Sequence, residues 1–330
     1  MRSRGIYLLS EDAFETGYGE AERSEIARLV DVHPVPLTAE TVVRSPDLSK
    51  ADIVFSGWGA PVMDEAFLAS APRVRMVFYG AGSVRSLVTD AFWDRGIRVT
   101  SAAEANAIPV SEYTLAAILL SLKHVWRLSA KVRAEHRYPA LAGIPGAFGS
   151  TVGILSFGAI GRLVCSRLRS FDVRVIAYDP YTDPKEAARL GVELVPLDAV
   201  FRECDVVSLH TPWLRETEGL VGRALLSLMK EGATLINTAR GAVVREQDLI
   251  DVLRRRPDLT AVVDVTDPEP PQPGSPLYSL PNVVLTPHIA GSQGRERLRM
   301  GRCMVQELHR YLEGEPLEWE ITRDEHALLT

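Results

Sequence analysis

The stretch TVGILSFGAIGRL, residues 151–163, constrains the fold more tightly than any other part of the chain. Thr151 to Leu155 is a short apolar run rich in β-formers, the pattern of a strand buried on both faces. Ser156, Gly158 and Gly161 follow on the spacing of a G-x-G-x-x-G turn, with serine at the first position. Ile160, Leu163, Val164 and Leu168 then recur at helical spacing. A strand that enters a tight turn and leaves as a helix aims the N–H groups around Gly158, Ala159, Ile160 and Gly161 at one point. The positive end of the helix dipole lies behind that point, and the arrangement suits a pyrophosphate. Eighteen residues past Gly161 the run VRVIAYD ends in Asp179. An acid there accepts hydrogen bonds from ribose 2′- and 3′-hydroxyls and repels a 2′-phosphate. Pro180 and Tyr181 follow it, with no arginine to receive that phosphate, so NAD is expected over NADP. The glycine spacing alone describes equally well a turn that binds nothing; the strand, the helix and Asp179 together carry the reading. If the first position needs a positive φ, Ser156 is strained there.

At 330 residues the chain exceeds one ordinary core, so two domains are expected. It is 46% hydrophobic and 24% charged, as a globular protein is. Its net charge of −6, with acids and bases interspersed, leaves no basic footprint for nucleic acid or anionic lipid. Cys165, Cys204 and Cys303 lie in separate segments without metal-ligand spacing, so no metal site is expected and a reduced, cytoplasmic setting fits. The N-terminal apolar run is too short for a signal peptide, and no run approaches the ~18 apolar residues of a membrane span.

Strands expected at 6–9, 32–35, 53–55, 73–79 and 97–100, with a helix at 20–30, make a first α/β unit. One long helix then follows from NAIPVSEYTLAAILLSLKHVW, with Pro109 in its first turn. Its apolar positions exceed one stripe, which suits a domain connector and a homodimer surface. A second α/β unit is expected from strands at 151–155, 173–178, 192–195, 206–209, 233–237, 261–265 and 283–286. A last helix at 295–312 ends at Gly314, and PEPPQPGSP is a rigid loop.

Polar residues stand just beyond the ends of three of these strands, where doubly wound sheets place their ligands. They are Arg240 in INTARG, Asp264 and Glu269 in DVTDPEP, and His288 in TPHIAG. Each alone is an ordinary loop residue. Together on one dinucleotide-type sheet they form a chemical set. Reduction of a 2-keto acid needs a cation for the carboxylate and carbonyl, and Arg240 offers a planar fork. It also needs an acid for the forming alkoxide, a task suited to His288, with Glu269 holding the imidazole and favouring its charged form.

TVGILSFGAIGR, LHTPW, INTARG, DVTDPEP and TPHIAG, in this order, resemble the D-isomer-specific 2-hydroxyacid dehydrogenases from end to end. The resemblance implies two Rossmann-like or flavodoxin-like doubly wound parallel-sheet domains with a cleft between them. A substrate-binding domain would comprise 1–103 plus 291–330, and an NAD-binding domain 104–290. It implies Arg240, Glu269 and His288 as the catalytic set. It places Asp264 at the nicotinamide carboxamide, and puts His210, Thr211, Pro212, Thr238 and Ala239 along the cofactor beside the Ser156–Gly161 turn. It further implies that backbone amides of Gly80, Ala81 and Gly82 cradle the substrate carboxylate. Trp58, in the loop SGWG, serves either a substrate tail or packing between domains. A small 2-keto or 2-hydroxy acid is the expected partner. Two other readings stay open: a phosphite-type dehydrogenase of the same fold, and an NAD-sensing binding protein of the corepressor type. A formate-type site is disfavoured because Glu269, not a glutamine, pairs with the histidine.

Overall fold

The computed structural model describes residues 2–42 and 45–328. The chain divides into two compact units, Met1–Asn106 with Ser292–Thr330, and Ala107–Gly291. The first unit opens with β1 (Arg4–Leu8), β2 (Asp31–Val32), β3 (Ile53–Ser56), β4 (Met76–Tyr79) and β5 (Arg98–Ser101). The second holds β6 (Thr151–Leu155), β7 (Arg174–Tyr178), β8 (Glu193–Leu194), β9 (Val206–Leu209), β10 (Thr234–Asn237), β11 (Thr260–Val263) and β12 (Val283–Leu285). The short β13 (Glu320–Ile321) returns to the first sheet.

In the first unit the strand order is β13-β5-β4-β3-β1-β2, parallel except for β13 against β5. Successive side chains on a strand face opposite ways, and here both faces are apolar. Leu8, Val54, Val77 and Val99 enter one core, while Tyr7, Phe55 and Phe78 enter the other. Phe55 and Phe78 stack at 5.4 Å between centroids. The second core is closed by the helix Arg297–Glu313, which runs against the helix Glu11–Gly17. Their approach requires Gly301, because a Cβ there would lie 2.0 Å from the Gly17 carbonyl oxygen.

In the second unit the order is β12-β11-β10-β9-β6-β7-β8, all parallel. Leu155, Val207, Leu235 and Val263 face one core, and Ile154, Val206, Ile236 and Val262 the other. Both sheets are therefore parallel α/β layers, with one antiparallel edge strand in the first. In the second, the order reverses between β6 and β9, which makes the loops after those strands the switch-point crevice.

Several expected elements differ in extent. The strand expected at 32–35 stops at Val32, because Pro34 and Pro36 have no N–H to continue a ladder. The strands expected at 73–79 and 192–195 shorten to Met76–Tyr79 and Glu193–Leu194. The helix expected from residue 106 starts at Ala103, whose N–H is accepted by the Ser101 hydroxyl at 3.1 Å. Pro109 thus stands inside the helix rather than in its first turn. That helix also does not run on unbroken. It ends at Ser121, and a second helix, Val125–Glu135, leaves at 54°. The break is at His124, whose left-handed backbone (φ 50°) is held by its Nε2 contact of 3.1 Å with the Gly232 carbonyl. Among the described residues no single helix is long and apolar enough to cross a membrane.

Candidate active site

The loop after β6 has the shape its sequence implies. Ser156 takes φ 74°, the left-handed conformation that favours glycine. Its hydroxyl donates to Thr211 Oγ1 at 3.0 Å, tying the loop after β6 to the loop after β9. His210 N–H closes the same seam onto the Leu155 carbonyl at 2.9 Å. Gly158 begins the helix Ala159–Leu168, with no side-chain cap on its N-terminus. A Cβ at Gly158 would meet nothing within 4 Å, so the ground before the helix is open. A Cβ at Gly161 would lie 2.4 Å from the Ser156 carbonyl oxygen, so that position must be glycine. Asp179, at the end of β7, accepts N–H bonds from Phe157 at 2.7 Å, Tyr181 at 2.8 Å and Thr182 at 3.0 Å. These bonds fix the carboxylate beside the turn and leave acceptor capacity on Oδ2. Arg162 is engaged by Glu186 and the Phe157 carbonyl. Uncapped amides, an open glycine and an anchored acid fit a dinucleotide with a free ribose 2′-hydroxyl.

His210 is buried, with Nε2 3.0 Å from Ser208 Oγ and no partner for Nδ1 among the described residues. Burial pushes its pKa down to about 3, so the ring is neutral at working pH. Pro212 accepts from the Thr217 hydroxyl at 2.5 Å, which shapes the turn.

The ends of β10, β11 and β12 carry the polar set. His288 Nδ1 lies 2.6 Å from Glu269 Oε1, and both side chains are about half exposed (50% and 44%). A carboxylate only accepts, so Nδ1 carries the proton and Nε2 is left for another group. His288 has a left-handed backbone (φ 54°), and its N–H is accepted by the Asp264 carbonyl at 2.9 Å. The Asp264 carboxylate explains that turn. It is buried and accepts from Thr286 Oγ1 at 2.5 Å, Ile289 N–H at 2.9 Å and Ala290 N–H at 2.8 Å. Sequence reasoning offered Asp264 only to the cofactor; its observed partners make it the organiser of the histidine turn.

Arg240 donates from Nη1 to the Ala239 carbonyl at 2.7 Å. Burial pulls its pKa down and the Glu269 charge opposes this, so the two side chains sense each other. Asn237 braces the loop from within, accepting from Ala239 N–H at 3.1 Å and donating to the Arg240 carbonyl at 3.0 Å. The loop's neighbour is set by Gly241, where a Cβ would lie 2.0 Å from the Thr266 carbonyl carbon. Thr238 meets Thr114 hydroxyl to hydroxyl at 3.2 Å, and Tyr113 meets Thr286 at 3.0 Å. Asn237 was visible in its motif, whereas Tyr113 and Thr114 had no local signal. A cavity of about 750 Å³ opens beside Asp264, Glu269, Thr286 and His288.

In the first unit Gly80, Ala81 and Gly82 follow β4 directly. The Gly80 N–H is accepted by the Ser56 carbonyl at 2.8 Å, so it is not available for a carboxylate. What Gly80 supplies is room, since a Cβ would sit 3.0 Å from the Tyr18 hydroxyl. Ala81 and Gly82 remain the candidate donors, held from behind by the Ser101 hydroxyl on their carbonyls. No group of His, Cys, Asp and Glu suited to a metal ion occurs among the described residues.

Residues 115–290 match the model of the D-isomer specific 2-hydroxyacid dehydrogenase NAD binding domain. The chain is 35% identical over 257 residues to D-3-phosphoglycerate dehydrogenase of Mycobacterium leprae, covering 78% of this chain and 48% of that protein. It thus spans about half the length of that relative. It is 30% identical over 308 residues to hydroxypyruvate reductase of Thermotoga maritima, covering 92% and 93% of the two chains. The fold is shared with the NAD-complexed D-isomer specific 2-hydroxyacid dehydrogenase of Lactobacillus delbrueckii ssp. bulgaricus, at TM-score 0.79 and 23% identity over 97% and 100% of the chains. The chain belongs to the D-isomer-specific 2-hydroxyacid dehydrogenase family, and NAD is its cofactor.

Proposed function

We propose that the protein interconverts a 2-keto acid and its D-2-hydroxy acid, with His288 as the proton donor and acceptor. The observation that carries this is the 2.6 Å His288–Glu269 pair at the end of parallel strands in an NAD-binding domain. Bound NAD supplies the hydride donor or acceptor. The protein's own residues then handle charge and protons. Arg240 presents a guanidinium to the substrate carboxylate and carbonyl, and stays cationic despite its burial. In reduction, His288 gives the Nε2 proton to the forming alkoxide; in oxidation it takes that proton back. Glu269 holds Nδ1–H throughout, so the ring keeps one orientation. Asp264 completes the set within the second unit by holding the 286–290 turn that carries His288.

The selectivity for NAD over NADP rests on the Asp179 carboxylate, anchored where a 2′-phosphate would sit. The chain forms a homodimer through the second unit, where Leu120, Val125, Tyr138, Leu141 and Phe148 expose apolar side chains within one short segment. Three free, buried cysteines accord with a cytoplasmic setting. The test is NADH consumption against 2-keto acids from glyoxylate to phenylpyruvate. Turnover of at least one, lost by 100-fold or more in His288→Ala, supports the reading. NADH binding without turnover of any of them overturns it. A monomeric mass by light scattering at micromolar concentration removes the dimer.

A further inference from the structure

Two neighbouring residues of the helix Ala103–Ser121 reach two different loops at the strand ends of the second unit. The Thr114 hydroxyl meets Thr238, two residues before Arg240, and the Tyr113 hydroxyl meets Thr286, two residues before His288. These contacts span 124 and 173 residues of chain. The Tyr113 ring packs on the core that holds Ile154, Ile236 and Val262, and its polar tip meets the loop after β12. A helix fixed by that core therefore braces both loops.

The direction of the Tyr113 contact follows from the protons present. Thr286 has one hydroxyl proton, and a carboxylate only accepts, so that proton goes to Asp264 Oδ1 at 2.5 Å. Between Tyr113 and Thr286, at 3.0 Å, the donated proton is then the phenol's. The chain runs from Tyr113 O–H to Thr286 O–H to the Asp264 carboxylate, and bonds aligned head to tail strengthen one another. Burial raises the Tyr113 pKa, the Thr286 bond works against this and the Asp264 charge adds to it, so the phenol keeps its proton at neutral pH. The same carboxylate accepts from Ile289 and Ala290 N–H, directly after His288. His288 needs such support, because its left-handed backbone (φ 54°) persists only where its surroundings over-determine it. The Thr286 backbone is fixed by its N–H on the Val263 carbonyl at 3.0 Å, but its hydroxyl turns freely unless both neighbours hold it.

We propose that Tyr113 is a positioning residue: its hydroxyl, acting through Thr286 and Asp264, holds the turn that carries His288. The kinetic part of the proposal rests on the 2-keto acid reading above. Without the phenol proton, Thr286 Oγ1 loses its donor, and its own hydroxyl can turn to a nearby backbone carbonyl. Asp264 then keeps its two amide donors but loses the hydroxyl that braces them. The 288–290 turn opens more often, and a proton donor displaced from hydrogen-bond reach costs rate.

The test uses the full chain and two readouts on the same preparations: amide hydrogen exchange by mass spectrometry, and kcat with NADH and whichever 2-keto acid turns over best. Tyr113→Phe keeps the ring in the core and removes only the hydroxyl. It is expected to speed exchange across 288–290 by about 5-fold, leave exchange across 151–163 unchanged and lower kcat by about 10-fold. Thr286→Val is expected to do the same, Thr286→Ser to recover most of both, and Tyr113→Phe with Thr286→Val to be no worse than Thr286→Val alone, as links in series are. Exchange at 288–290 unmoved by Tyr113→Phe overturns the proposal. So does exchange that quickens equally across 151–163, a kcat unmoved while the turn loosens, or losses that add in the double variant. Turnover of no 2-keto acid by the wild-type chain, with NADH bound, overturns the underlying function instead, and the exchange arm still decides whether Tyr113 holds the turn.

Discussion

Ser156 shows how one residue can depart from a motif and still satisfy its geometry. Its left-handed backbone costs a non-glycine residue about 1–2 kcal/mol. The Ser156–Thr211 hydrogen bond returns about 0.5–1.5 kcal/mol, and glycine would lose more chain entropy on folding by about 0.5–1 kcal/mol. The terms nearly cancel. Ser156→Gly is therefore expected to change stability by less than about 1 kcal/mol, whereas Ser156→Ala keeps the strain, drops the bond and is the least stable of the three. Urea unfolding of the three proteins checks the order. At the proposed proton site, Glu269→Gln removes the carboxylate that holds His288 Nδ1 at 2.6 Å and orients the ring. The rate of reduction is expected to fall by about 10-fold or more. An unmoved rate would show that the pair does not operate in turnover. The residues proposed for this chemistry were legible from their motifs, because residue type and position at a strand end suffice to nominate them. The duty of Asp264 was not. It depends on which amides a buried carboxylate meets after the 286–290 turn has closed, and Thr286, Ile289 and Ala290 are all distant from it in sequence.

At the scale of elements, the strands follow from alternating apolar positions, and their errors are local. Prolines cut short the strand after Asp31, and a capping serine moved a helix start by one turn. The break at His124 was hidden because LKHVW continues a helical apolar pattern. Its side-chain contacts with Gly232 and Arg127 hold the ring at the break. Loop-to-loop contact decides more than propensity here. Gly241 lets the Arg240 loop lie directly against the Thr266 peptide, and so sets Arg240 beside the strand that leads to Glu269. Gly241→Ala is expected to cost more than about 2 kcal/mol of stability and at least about 10-fold in kcat/KM, because backbone rather than a flexible side chain blocks the Cβ. Calorimetry and steady-state kinetics on one preparation measure both. Full activity in that variant would mean the two loops move independently.

For the whole molecule, buried histidine couples folding to pH. His210 binds a proton near pH 6.5 when unfolded but only near pH 3 when folded. The stability this provides is present above about pH 6.5 and is lost as pH falls toward 3. His124, held below its ordinary value by burial and by Arg127, acts with the same sign. Unfolding free energy is expected to drop between pH 7 and 5, and His210→Gln to flatten that slope; an equal slope in the variant would remove His210 as its source.

The sequence by itself determined the α/β class, the dinucleotide turn, the acid at the end of β7 and the identities of Arg240, Glu269 and His288. Those features rest on periodicity and on spacings shorter than one βαβ unit, which local physics controls. The tertiary structure alone decided the two strand orders, the spent amide of Gly80 and the organising role of Asp264. Each of these joins groups that the chain separates by tens to hundreds of residues. No period or propensity encodes such contacts; they exist only once the sheets have paired and the helices have packed.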